Sequence, residues 1–212
     1  MLALSAMASS HRIAFQGVTG AFSEQAALQY APAATPVGFA TFREAFDATV
    51  RGETAFSVLP VENSLAGSIN QTYDLLTDSV LHVVGEQIVR VHHNLLARPG
   101  TRIEDVRRVY SHPQALAQCQ EYLIRHHFQA VTDFDTAGAA KILAENGDDD
   151  GKERAAIASK RAADAYGLDV LAERIEDRPY NFTRFFVLGA DEAPRGTGQH
   201  KTSLVLATKH RP

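Results

Sequence analysis

The sequence predicts an α/β protein made of two lobes with a cleft between them. Three observations carry that expectation. Short runs of β-branched and aromatic residues alternate with helical patterns of moderate length, which implies mostly parallel sheets with helices on both faces. Long extended segments between Val80 and Ala97 separate two such alternating runs and read as a crossover. A late strand, Phe182 to Leu188, follows the second run and would return the chain to the first lobe.

The elements follow in order. Arg12 to Gln16 reads as the first strand, and Ala21 to Tyr30 as a helix closed by Pro32. Val37 to Phe39 is a short strand, and Phe42 to Val50 a helix with Phe42, Ala45 and Phe46 on one face. Ala55 to Leu59 is a strand; Pro60 to Ser68 is a loop opening a helix through Leu76. Val80 to Ile88 and Val91 to Ala97 are long strands. In the second run, Val109 to Ser111 is a strand and Pro113 to His126 one helix with Leu116, Cys119 and Leu123 at core spacing. Val131 begins a brief strand, Ala137 to Glu145 is a helix, and residues 146–151 form a solvated loop without calcium-loop spacing. Ala155 to Ala158 is a strand, and Ser159 to Tyr166 a helix capped by Gly167. Val170 to Ala172 leads into the stretch from Pro179 to Leu188, where Thr183 and Arg184 interrupt four aromatic rings. No internal repeat is visible.

Composition bounds the function. The 212 residues are 45% apolar and 22% charged, as in a globular protein with room for two lobes. A net charge of -4 without a basic run argues against a nucleic-acid partner. No apolar run approaches the roughly 20 residues that span a bilayer, so no membrane partner is expected. The first 11 residues read as a disordered leader rather than a signal peptide. The single cysteine, Cys119, excludes an internal disulfide and suits a reducing cytoplasm. It sits on an apolar helical face and reads as a buried structural thiol.

Four strand-to-helix loops offer backbone N–H groups at helix starts: 17–20, 62–68, 111–114 and 135–138. In open parallel sheets such loops gather at the carboxyl ends of the strands, and helix N-termini suit anions. The pattern points to a small ligand with more than one negative group. Capping alone also accounts for Ser111-His112-Pro113-Gln114 and for Ser68-Ile69-Asn70-Gln71. Gly17-Val18-Thr19-Gly20 is neither a P-loop nor a dinucleotide fingerprint. His92 and His93 point to opposite faces of a strand and read as core or surface histidines, not a metal pair. Arg184 can fork a carboxylate, and Thr183 can donate to a leaving oxygen.

Five segments in this order carry a resemblance: Gly17 to Ala27, Leu59 to Ile69, Ser111 to Cys119, Asp135 to Ala140 and Asn181 to Phe185. Together they resemble the signature segments of prephenate dehydratase, a carbon–oxygen lyase, and of its relative arogenate dehydratase, over about Ile13 to Leu188. The resemblance implies a two-lobed fold like type II periplasmic binding proteins, with residues 12–90 and 179–192 in one lobe and 91–178 in the other. It implies conversion of prephenate to phenylpyruvate, water and carbon dioxide in phenylalanine biosynthesis, with no metal or organic cofactor. Thr183 is then the catalytic residue. Glu62, Asn63, Ser64, Ser111, Gln114 and Thr136 hold the substrate, Phe185 dries the site, and Arg184 binds a carboxylate or braces the loop. Family members are usually dimers or tetramers, so a homo-oligomer is expected.

The tail, residues 193–212, resembles from Lys201 the first strand of a regulatory ACT domain, and catalysis without phenylalanine feedback is the expectation. Two alternatives stay open. Arogenate dehydratase would form phenylalanine directly, and a non-catalytic small-anion-binding module would also use a two-lobed cleft.

Overall fold

The computed structural model describes residues 12–77, 79–146, 151–192 and 201–202. The leader, most of the tail and the tip of the acidic loop lie outside the described residues. Strands β1 (Arg12–Gln16), β2 (Thr35–Phe39), β3 (Phe56–Asn63), β5 (His82–Arg90) and β11 (Phe182–Gly189) form one sheet in the order β2-β1-β3-β11-β5, with the short β4 (Gly67–Ser68) beside β3. The second sheet runs β8 (Gln129–Thr132), β7 (Arg108–Ser111), β9 (Arg154–Ala158), β6 (Asn94–Ala97), β10 (Asp169–Ala172). Both sheets have a parallel three-stranded core, and their antiparallel strands are β4 and those flanking the crossovers. The two lobes therefore share one strand order, a repeat of topology without a repeat of sequence.

Each sheet buries both faces, as the alternation of its strands dictates. In the first, Phe185 and Val187 pack with Val58 and Val89 beneath helix α1 (Phe22–Tyr30). Phe186 and Leu188 point the other way, toward α2 (Phe42–Val50) and α3 (Asn70–Thr77). In the second, Ala155 and Ile157 meet Leu116 and Cys119, while Ala156 and Ala158 meet α6 (Thr136–Glu145) and α7 (Lys160–Tyr166). Alanine on β9 lets those two helices sit close to the sheet.

Two expectations are corrected. Strand β3 does not stop at Leu59 but runs through Pro60 to Asn63. Pro60 has no N–H to give, and it falls where the β3–β11 register shifts between Arg184 and Phe185, so the ladder loses no bond it needed. The helix expected from Pro113 to His126 is two, α4 (Pro113–Gln118) and α5 (Gln120–Arg125), broken at Cys119 with φ -118° and ψ 20°. The crossover causes the break. Asp177 N–H donates to the Gln118 carbonyl at 2.8 Å, and the Asp177 carboxylate accepts from Glu121 N–H at 3.2 and 3.3 Å, ending one helix and starting the next.

Two crossovers join the lobes, through residues 91–93 and 173–181. They also bond to each other: Val91 N–H donates to Asn181 O at 2.8 Å, and Ile175 N–H to His93 O at 2.9 Å. On one flank the loop before α1 is fastened to α7. Ser159 Oγ donates to Gly20 O at 2.6 Å, Tyr166 Oη to Thr19 O at 2.8 Å, and Arg161 pairs with buried Glu24 at 3.0 Å. Gly20 is at φ +89°, and a Cβ there would lie 2.6 Å from Ala162 Cα. Only glycine fits that contact.

Candidate active site

Strand β11 enters the cleft with Asn181, Phe182 and Thr183, and β3 ends beside it at Asn63. The register sets Thr183 against Asn63. Asn63 Oδ1 accepts from the N–H groups of Leu65 and Ala66, both at 3.0 Å, which turns the chain sharply after β3. Backbone N–H groups can only donate, so these two bonds orient the amide and leave Nδ2 as the donor. Nδ2 lies 3.0 Å from Thr183 Oγ1 and 2.8 Å from Asn181 Oδ1. Thr183 thus receives a hydrogen bond, and its own proton is free for a ligand. Asn181, fully buried, passes its Nδ2 protons to Gln118 Oε1 at 2.9 Å, and His93 Nε2 meets the same oxygen at 2.8 Å. A continuous polar chain therefore crosses from Thr183 in one lobe to His93 in the other.

These groups face a cavity of about 150 Å³. Phe22, Asn63, Ile69, Val91, Asn181 and Thr183 line it from one side, and His93, His112, Gln114, Ala115, Gln118 and Thr136 from the other. It meets a second space of about 490 Å³ at His112, alongside Gln71, Phe134 and Asp135. Small-molecule sites commonly measure about 300–1,000 Å³, so the two together, not the first alone, suit a ligand. His112 Nδ1 accepts from Gln114 N–H at 3.2 Å, so its proton is on Nε2 and the ring is a donor.

Of the expected site residues, Asn63, Gln114, Thr136 and Thr183 come together. Five do not line this cavity. Ser111 is fully buried and its hydroxyl donates to Ile157 O at 2.7 Å inside the second sheet. It does not cap α4; His112 does. Ser64 Oγ bridges Tyr180 O and Phe182 N–H, clamping the entry to β11. Phe185 is buried beneath α1, one layer under Thr183. Glu62 is half exposed and Arg184 lies on the opposite face of β11, stacked on Phe186 and held 2.7 Å from Glu86. That hydrogen bond outweighs desolvation and holds the Glu86 carboxyl below its usual range. Arg184 braces the sheet.

The loops also differ from expectation. Gly17 N–H donates to Phe39 O and Gly20 N–H to the Glu24 carboxylate, while Asp135 Oδ1 takes Gly138 N–H at 2.5 Å. Much of the helix-start donor capacity is spent internally. No Lys or Arg lines the Thr183 cavity. Neutral donors, not cations, would grip an anion there. Among the described residues no group of three His, Cys, Asp or Glu could hold a metal. Cys119 is buried, and burial pushes its thiol up, so it is not a nucleophile.

Sequence reasoning missed Asn181, Gln118, His112 and His93. Gln118 follows Gln114 by four residues, on the same helical face, which was a readable signal. The strand expected from Val91 begins only at Asn94, so His92 and His93 lie in the crossover, where His92 meets Glu176 at 2.7 Å and His93 meets Gln118.

With that geometry, residues 13–193 match the prephenate dehydratase family. The chain belongs to this family. It is 46% identical over 203 residues to "Arogenate dehydratase/prephenate dehydratase 2, chloroplastic" of Arabidopsis thaliana, covering 95% of this chain and 52% of that one. The chain thus spans about half the length of the curated relative it matches. The solved prephenate dehydratase of Arthrobacter aurescens in complex with L-Phe superposes with a TM-score of 0.76 at 31% identity, covering 90% of this chain and 63% of that one. GqqA, described as a novel type of quorum quenching acylase, superposes with 0.78 at 38% identity, covering 89% and 66%.

Proposed function

We propose that this chain catalyses the decarboxylating dehydration of prephenate to phenylpyruvate, a step of phenylalanine biosynthesis. Family membership supports the reaction class. The observation that carries the mechanism is the 3.0 Å hydrogen bond from Asn63 Nδ2 to Thr183 Oγ1 inside the inter-lobe cavity.

The prephenate dianion loses its ring carboxylate as carbon dioxide while the C4 hydroxyl departs, and one proton converts hydroxide to water. Aromatisation of the ring drives the step. Hydroxide leaves poorly, so a donor at that oxygen is the main requirement. Thr183 supplies its O–H, and Asn63, already donating to Oγ1, stabilises the charge that builds there. Apolar Phe22, Ile69 and Val91 line the cavity, and a bound ligand that covers them would displace water and strengthen each polar contact. Gln114, Gln118, Thr136 and the His112 Nε2–H would hold carboxylate oxygens, a role supported by their lining of the same cavity. Glu62, Ser64, Ser111, Arg184 and Phe185 act by holding the two strands and α4 in place. No cofactor is required by this chemistry.

Arogenate is the second reading, favoured by the arogenate dehydratase name of the Arabidopsis relative. Purified protein given prephenate or arogenate, with phenylpyruvate or phenylalanine followed and nothing else added, tests both. Turnover of neither defeats the proposal. A homo-oligomer in a reducing cytoplasm belongs to the same proposal, the compartment consistent with the free Cys119, and solution mass and fractionation check the two parts.

A further inference from the structure

Among the described residues, no Lys or Arg lines the Thr183 cavity or the outer space that it meets at His112. A third space, of about 300 Å³, lies on the other side of Gln118, which lines both it and the Thr183 cavity. Leu65, Ala117, Asp177 and Arg178 form the rest of it. The turn after β3 divides the two spaces, since Asn63 lines the Thr183 cavity and Leu65 the third space. Arg178 is therefore the one guanidinium that opens on this connected set.

The backbone around Arg178 is held on both sides. Asp177 N–H donates to Gln118 O at 2.8 Å, and Arg90 Nη2 donates to Pro179 O at 3.1 Å. The Arg178 side chain is exposed and makes no hydrogen bond or ion pair with any described residue. Asp177 brings a negative charge to the same space, but its carboxylate accepts from Glu121 N–H at the start of α5. A cation on a fixed stretch of chain, with no acid of its own, faces the side door of a cavity that has none.

The reaction treats the two carboxylates of its substrate differently. The ring carboxylate leaves as carbon dioxide, and its bonding electrons pass into the ring. A guanidinium forked on it would stabilise the ground state more than a transition state in which that charge is departing, and would slow the step. The side-chain carboxylate keeps its charge throughout, so a cation there strengthens binding without opposing the chemistry. We propose that Arg178 reaches past Gln118 and Leu65 to fork the side-chain carboxylate, while the ring carboxylate stays among neutral donors in the Thr183 cavity. This rests on the dehydratase reading of the same cleft and assigns its cation to the carboxylate that the product retains.

Arg178→Gln and Arg178→Lys, with prephenate turnover and calorimetric binding of phenylpyruvate, test it. Arg178→Gln should raise KM about tenfold or more and leave kcat within about twofold, as loss of binding common to ground and transition states requires. Phenylpyruvate keeps the side-chain carboxylate, so its Kd should rise by the same factor. Arg178→Lys should fall between, since an ammonium is a point charge without the fork. Melting temperatures should not move. An unchanged KM overturns the inference, as does a loss confined to kcat. Weaker prephenate binding with unchanged phenylpyruvate binding would put Arg178 on the ring carboxylate and overturn it too. A wild type that turns over no prephenate defeats the dehydratase reading, and phenylpyruvate binding then judges the Arg178 contact by itself.

Discussion

Asn63→Asp separates the two jobs of one side chain. The carboxylate would still accept from Leu65 and Ala66, preserving the turn, but it could no longer donate to Thr183. Thr183 would instead donate to the new carboxylate, and its proton would be lost to the ligand. Turnover should fall about 10²–10⁴-fold, the usual worth of proton transfer by a positioned group, with Thr183→Ala falling as far and Thr183→Ser much less. Circular-dichroism melts of the two Thr183 variants should stay close to wild type, and an early melt there would assign the loss to folding; Asn63→Asp should melt earlier, because its new carboxylate oxygen would face the buried Asn181 Oδ1 acceptor. His93 offers a second test in stability. Its folded ring titrates below the ordinary 6.5 because burial disfavours the imidazolium, against the pull of Gln118 and Glu176 and with the push of His92. The unfolded chain therefore binds a proton first as pH falls through about 6.5. The stability from the neutral ring is complete above that pH and drains away below it, until the folded ring also protonates. Melting temperature should drop between about pH 7.5 and 5.5, and the drop should shrink in His93→Gln. Thr183 and Asn63 were named from the resemblance of their segments, and the structure brings the two side chains to one cavity. His93 was not legible, because its role depends on Gln118 and Asn181, 25 and 88 residues away in the chain.

At the scale of elements, alternation and the Gly167 stop were written in the sequence and the structure repeats them, whereas the cap expected at Ser111 falls to His112. The break at Cys119 was not, since nothing in Gln118-Cys119-Gln120 disfavours a helix. It comes from Asp177, which the second crossover delivers to that point. Strand β3 likewise ran past Pro60 because the bulge beside it, at Val61 of the same strand, made a missing N–H harmless. Tertiary contacts overrode local preference in both places. The loop before α1 gives the matching prediction. Gly20→Ala would force φ +89° on a residue with a Cβ and press that atom against the Ala162 backbone at 2.6 Å. A loss of about 1–3 kcal/mol is expected from the backbone strain alone. Gly52→Ala, at φ +71° with nothing within 4 Å of its Cβ, should cost less. Denaturant titrations measure the difference, and equal losses would show that the packing against α7 does not matter.

Across the whole molecule, the lobes are fastened on two sides of the cleft. The Thr183-to-His93 polar chain ties them through the crossovers, and the Ser159–Gly20, Tyr166–Thr19 and Arg161–Glu24 contacts tie them at the flank. Glu24 is the charged part of the second fastening. Its side chain is only 5% exposed, and its carboxylate accepts from Gly20 N–H at 2.8 Å as well as from Arg161. Removing Arg161 would leave that charge with one backbone donor, so the carboxylate would gain by meeting water. Meeting water requires α7 to move off the loop, which is the same motion as opening the lobes. The wild type should therefore show nearly the same small-angle scattering profile with and without ligand, its cleft preset rather than closed by binding. Arg161→Ala with Tyr166→Phe should scatter as a larger particle when empty and contract when ligand is added, with weaker binding because closure now opposes it. Equal profiles for both proteins would mean that the crossovers alone hold the lobes. A wild type that contracts on ligand addition would show the flank contacts giving way in normal turnover.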